Sequence, residues 1–375
     1  MIYLDNAATT RPCPEAAEAV ARAMTVLWGN PSATHAPGRE ARAALEKARE
    51  QVLRALGAGE GSLTFTSGGT EADNLALKCA ARKQQHRGRH IISSRVEHDA
   101  VLKSLEDLKS RGFEITLLDP DPSGRILPEA VGEALRSDTV LVSLMLVNNE
   151  TGGVTDIAAV SKLLKDRGSA AILHTDAVQA FLKLPFTPKG LGADLITLSS
   201  HKICGPKGAG ALWCRKGLRL PPLIHGGGQE DGLRSGTEPM PAIIGFGAAA
   251  EALSRRKDLF AHYALLGEVL RRELPDSLFL ERPEDCAPHI CGIAFPGAKA
   301  EVLQNYLDSL GVCVSRGSAC AKGRRSHVLE ALGLPPEVID GALRVSFGPD
   351  TTAEEVEQFC VLLREGVARY FPGAI

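Results

Sequence analysis

The residues best suited to chemistry in this 375-residue chain gather where short apolar runs stop. The first group is Thr66-Ser67-Gly68-Gly69-Thr70-Glu71-Ala72-Asp73-Asn74, leading from a strand-like run towards a helical one that starts near Leu75. Glycines let a backbone approach an anion closely, and the free amides of a helix start stabilise its charge. That pattern suits a phosphate, although a glycine-rich turn into a helix is more often only a turn. The second group is His174-Thr175-Asp176-Ala177-Val178-Gln179, where a carboxylate ends an apolar run. Asp176 there could hold a protonated ring nitrogen, or simply cap the next helix. The third is Ser199-Ser200-His201-Lys202, followed by Gly205-Pro206-Lys207-Gly208. An amine at such a site, partly desolvated and near another cation, can lose its proton and condense with a carbonyl. Lys207 is the rival amine, but its glycine-proline loop reads as a solvated turn.

A thiol adds a fourth possibility. Cys320 follows Gly317, Ser318 and Ala319, small residues between a strand ending at Ser315 and a helix near Ser326 to Leu332. It could act as a nucleophile, whereas free cysteines are often inert core residues. Cys313 shows the inert pattern, alternating with Val312 and Val314. Cys286 and Cys291 lack a second ligand pair for zinc, so no metal is expected. The nine cysteines are an odd number, scattered through a long chain, which favours reduced thiols. Basic residues (43) and acidic residues (45) nearly cancel, so no overall field draws nucleic acid or an anionic membrane. No apolar run nears the roughly 20 residues of a membrane span, and Met1 is followed closely by Asp5-Asn6 rather than by a leader. A cytoplasmic protein acting on a small molecule is expected.

The elements that must position these residues alternate between strand and helix. Strand-like runs fall at Leu63 to Thr66, His90 to Ser93, Glu114 to Leu118, Val140 to Val147, Ala171 to His174, Leu195 to Ser199 and Gly210 to Trp213. Helical spacing of Ala41, Ala44, Leu45, Ala48, Val52 and Leu56 marks an early helix over Arg39 to Leu56. The alternation predicts an α/β fold whose mostly parallel sheet is flanked by helices, with ligands beyond the carboxyl ends of the strands. After about Pro239 long helices dominate, as at Leu259 to Leu274 and Glu354 to Phe371, with short strands at Gly292 to Phe295 and Gly311 to Ser315. Two domains are therefore expected: 15–240, and a smaller α+β unit of 241–375 joined by residues 1–14.

Taken in order, these segments resemble the NifS-like cysteine desulfurases of aminotransferase class V, fold-type I pyridoxal-phosphate transferases. The resemblance spans nearly the whole chain. It rests also on Tyr3 to Thr10, Asn30-Pro31-Ser32, Val96-Glu97-His98, Asn148 to Gly152, Gly226 to Thr237, Gly317 to Cys320 and Arg344-Val345-Ser346. It implies pyridoxal phosphate as cofactor, held by Lys202 as a Schiff base. Asp176 would pair with the ring nitrogen, Gln179 approach the ring hydroxyl, and His98 stack on the ring. Gly69, Thr70, Ser199 and His201 would hold the phosphate, joined by Thr237 from the other subunit of a homodimer. Arg344, with Asn149, would bind the carboxylate of L-cysteine. Cys320 would take the sulfur as a persulfide, leaving alanine, and pass it to a protein acceptor such as an iron–sulfur scaffold. A selenocysteine lyase, another class V aminotransferase and a non-catalytic sulfur carrier are the competing readings. Only five residues, Ala321 to Arg325, separate Cys320 from Ser326, fewer than in the common long-loop pattern.

Overall fold

The fold is seen in a computed structural model, which describes residues 1–275, 277–280, 283–316 and 325–374. Thirteen strands occur among them: β1 (Ile2–Tyr3), β2 (Ser62–Thr66), β3 (His90–Ser94), β4 (Glu114–Leu118), β5 (Thr139–Ser143), β6 (Ile172–Asp176), β7 (Leu195–Ser199), β8 (Gly210–Cys214), β9 (Leu278–Phe279), β10 (Ile290–Ala294), β11 (Val312–Cys313), β12 (Ser315–Arg316) and β13 (Ala342–Ser346). Strands β2 to β8 form one seven-stranded sheet in the order β2-β8-β7-β6-β5-β3-β4. Its pairs are parallel except where β8 meets β7 and β2, so six strands run one way and β8 the other. Strands β3, β5, β6, β7 and β8 are buried along their whole length, as expected of a sheet covered by helices on both faces.

The covering helices form for local reasons. In Ala36–Ala55, Ala41, Leu45, Ala48 and Val52 recur on one buried face, and His35 caps the start by accepting from the Gly38 amide. The helix Met240–Ser254 lies so close that a methyl group on Gly247 would come 2.8 Å from the Ala48 Cα. A four-stranded antiparallel sheet, β12-β13-β10-β9, and the parallel pair β1-β11 make up the rest. Residue Asp5 also bridges to Ser346. The N-terminal segment thus pairs with the C-terminal third of the chain.

Element boundaries differ from the sequence expectation in three informative places. The helix expected from about Leu75 begins at Gly69, because glycine and threonine give no hydrophobic signal for its first turn. The run Val140 to Val147 leaves strand geometry after Ser143, yet the Leu144 and Leu146 amides still reach the His174 and Asp176 carbonyls, at 3.1 and 2.9 Å. Gly311 to Ser315 divides into β11 and β12, which pair with different strands.

Candidate active site

Five elements end on one cavity. The loop after β2 and the helix Gly69–Gln84 bring Gly69, Thr70 and Asp73; the turn after β3 brings His98; the chain after β5 brings Met145, Val147 and Asn149; β6 brings Asp176; and β7 brings Ser199 and Lys202. All are carboxyl ends of parallel strands, where helix starts and open backbone groups collect. Ala7, Ala8 and Arg344 close the cavity from the other side, leaving about 300 Å³.

Lys202 sits in a single 3-10 turn, Ser200–Lys202, that follows β7. Its Nζ donates to the Ala8 carbonyl at 2.8 Å and to the Ala7 carbonyl. Gln179 Nε2 donates to the same Ala7 carbonyl at 2.9 Å. Asp176 is buried; its Oδ1 accepts from the Val178 amide at 2.8 Å, and burial raises its carboxyl pKa. Asp73 stands beside it, also buried, with its carboxyl pushed well up by burial and then by the Asp176 charge. Two carboxyls in one dry space cannot both ionise without a cation between or beside them. His98 is exposed and caps the helix Asp99–Ser110 through Nδ1, which accepts from Ala100 N at 3.1 Å. Nε2 therefore carries the proton of the neutral ring.

At the helix start no side chain caps the amides of Gly68-Gly69-Thr70. Beside them Ser199 Oγ is buried and has no protein partner. His201 bonds Thr9 Oγ1 at 3.2 Å, and its pKa is lowered to about 4 by burial and then by Lys202, Lys207 and Lys183, so the ring is neutral. Arg344 is buried, with Nη1 donating to the Asn149 carbonyl at 2.9 Å and Nη2 to Asp5 Oδ1 at 2.8 Å, while its Nε has no partner.

The family model for aminotransferase class V matches residues 2–359. The chain belongs to the aminotransferase class V family. It is 42% identical, over 369 residues, to a protein of Cereibacter sphaeroides described as a cysteine desulfurase, covering 96% of this chain and 94% of that one. Among solved structures, a NifS-like protein aligns with a TM-score of 0.93 at 35% identity, covering 98% and 99% of the two chains. A structure described as SspA in complex with cysteine aligns at 0.81 and 34%, covering 94% and 100%. The chain is accordingly a pyridoxal-phosphate enzyme of fold-type I. The donor set fits that cofactor: uncapped amides and an unpartnered buried hydroxyl suit a phosphate, a buried carboxylate suits a pyridinium nitrogen, and an amine faces the space between them.

Of the residues selected from sequence, Lys202, His98, Gly69, Thr70, Asp176, Gln179, Ser199, His201, Asn149 and Arg344 line this one cavity. Thr237 is exposed and lies outside it, and Cys320 falls outside the described residues. Several site residues escaped the sequence reading. Asp73 lies four residues after Gly69, so a helix beginning at Gly69 puts both on one face. Glu97 and Glu150 are buried near the site, Glu97 accepting from Met145 N at 3.1 Å and Glu150 from Ser326 Oγ. His327 lines the cavity and donates from Nε2 to the Glu97 carbonyl at 3.0 Å. Lys183 is buried behind Gln179, its Nζ 3.4 Å from Gln179 Oε1, and burial and then the Lys202 charge lower its pKa to about 7. Nothing in a Lys-Leu-Pro sequence marks a lysine as buried.

Proposed function

We propose that this enzyme removes sulfur from L-cysteine, giving L-alanine and a persulfide on Cys320, and that the residues lining the Lys202 cavity carry the first half of that reaction. The observation that carries the reading is the convergence of Lys202, Asp176 and the uncapped Gly69 helix on one space at neighbouring strand ends. Bound pyridoxal phosphate supplies an electron sink that weakens the bonds at the substrate's Cα. Lys202 attaches the cofactor and afterwards moves protons at Cα. Asp176 keeps the ring nitrogen protonated, and Gln179, with Oε1 turned towards Lys183 and one amide hydrogen given to the Ala7 carbonyl, presents its other amide hydrogen to the ring oxygen. His98 stacks on the ring, and Gly69, Thr70, Ser199 and His201 hold the phosphate. Thr237, exposed in one chain, joins them across a homodimer interface.

Arg344 with Asn149 receives the substrate carboxylate. Its Nη2 is already engaged by Asp5 and its unpartnered Nε is shielded, so a substrate carboxylate displaces the Asp5 contact to reach the guanidinium. Cys320 attacks the substrate sulfur as a thiolate: an S–S bond forms, the Cβ–S bond breaks, and a proton delivered to the carbon releases alanine. The sulfur then passes to a protein acceptor such as an iron–sulfur scaffold, in the cytoplasm. Residues 15–240 form the cofactor unit and residues 1–14 with 241–375 the unit bearing Cys320. The helix Met240–Ser254, which packs on Pro14–Thr25 and Ala36–Ala55, follows the boundary between them.

Incubation of the intact enzyme with L-cysteine, followed by mass analysis of the Cys320 peptide and an alanine assay, tests the reading. A mass gain of one sulfur on that peptide together with alanine is expected, and Cys320→Ser should keep the cofactor absorbance while losing sulfur release. Alanine formed equally by Cys320→Ser would overturn the role of the thiol. Amino-group transfer to an added 2-oxo acid would instead favour an aminotransferase.

A further inference from the structure

The helix that offers its amides to the cofactor phosphate also carries a carboxylate in its first turn, Glu71. A negative side chain there suits the helix dipole but opposes a phosphate dianion at the same end. In the usual capping arrangement a glutamate at the third helical position folds back onto the N-cap amide and so occupies a donor. Glu71 instead reaches one residue further back, its Oε2 accepting from Ser67 N at 2.9 Å. Arg234 holds it there: Nε donates to Oε1 at 2.8 Å and Nη2 to Oε2 at 3.3 Å, with both side chains mostly buried.

Arg234 is itself fixed by a second tie. Its loop carries Glu230, which accepts from Phe65 N at 2.9 Å, within β2, and from Arg49 at 2.8 and 3.0 Å. Glu230 has a positive φ of 49°, a conformation that a glutamate keeps only when its contacts hold it. The loop is therefore clamped to β2 at one point and to the phosphate helix at another.

We propose that Arg234 is a positioning residue for the cofactor phosphate: by gripping both oxygens of Glu71 it cancels the carboxylate in the first turn and keeps it off the free helix amides. The proposal deepens the reading above and rests on the phosphate seating at the Gly69 helix. The fork geometry matters, since one lysine nitrogen cannot hold both oxygens in this way. The consequence is specific to the phosphate. Binding of the pyridine ring alone should not depend on Arg234.

Pyridoxal phosphate and pyridoxal, which lacks the phosphate, would be titrated by absorbance into the cofactor-stripped full-length protein and into Arg234→Gln, Glu71→Gln and the double variant. Arg234→Gln should weaken pyridoxal phosphate by roughly tenfold or more and leave pyridoxal within about twofold. The double variant should regain most of the loss, because the uncompensated charge is gone. Equal losses for both ligands, or no recovery in the double variant, would reduce Arg234 to a scaffold residue and overturn the proposal. Should Arg234→Gln fold poorly, Glu71→Gln decides alone: it must hold pyridoxal phosphate at least as tightly as the unmodified protein. Failure of the underlying reading looks different, because the unmodified protein would then bind the two ligands equally well.

Discussion

The acids Asp73, Glu97 and Asp176 and the bases His174, Lys183 and His201, in and around the Lys202 cavity, are held away from their ordinary ionisation. Glu97 is the plainest case, with burial raising its carboxyl pKa to about 8 against the help of Ser94 and the Met145 amide. Its folded pKa lies above its unfolded one, so the native state holds the extra proton between pH 4.5 and 8. Stability from this group is greatest below 4.5 and falls as pH rises to 8. Glu97→Gln, which resembles the protonated acid, should become progressively more stable than the unmodified protein over that range, by on the order of 1 kcal/mol per pH unit. Urea unfolding at pH 5, 6.5 and 8 measures it, and a difference that stays flat with pH would mean the carboxylate is already charged. His174 is the mirror case: burial lowers its pKa to about 3, and its two nitrogens bond Ser143 and Thr197 hydroxyls at 2.9 and 3.0 Å. Its nearness to Asp73, 3.7 Å, is therefore contact between a neutral ring and an acid rather than an ion pair. At this scale sequence spoke clearly for Lys202 and Asp176, which end apolar runs. It was silent on Lys183, whose burial is decided by neighbours distant in the chain.

At the scale of elements, the phosphate cradle depends on how closely two backbones approach. Gly210 opens β8 opposite Thr66, and a methyl group there would lie 2.5 Å from the carbonyl carbon of Gly68. Both atoms belong to backbone, so neither can turn aside. Gly210→Ala should push the Ser67-Gly68 turn outward and loosen pyridoxal phosphate by roughly tenfold, with little change in the far-ultraviolet spectrum; unchanged cofactor affinity would show that the turn can yield. This requirement was not legible in the sequence, where Gly210 is one glycine among 38. The alternation of strands and helices was legible, because buried parallel strands are short unbroken apolar runs. Their boundaries were less so where polar or glycine residues take helical or extended geometry for the site's sake, as in the first turn of the Gly69 helix. The reversed direction of β8 also lay beyond reach: a buried antiparallel strand has the same composition as a parallel one.

Across the whole molecule, the cavity draws its walls from both ends of the chain. Ala7 and Ala8 present carbonyls to Lys202 and Gln179, while Asn6 Nδ2 donates to the Ser346 carbonyl at 3.1 Å and Asp5 pairs with Arg344. Such contacts, separated by as many as 340 residues, form late because the intervening chain must first be ordered. On refolding from urea in the presence of pyridoxal phosphate, the cofactor absorbance should return more slowly than the helical signal; simultaneous recovery would show the site forming from local segments alone. For a chain leaving the ribosome the same geometry sets a timetable. The walls cannot close until the codon for Arg344 has been read and its residue has emerged, so cofactor capture reports synthesis at least as far as Arg344.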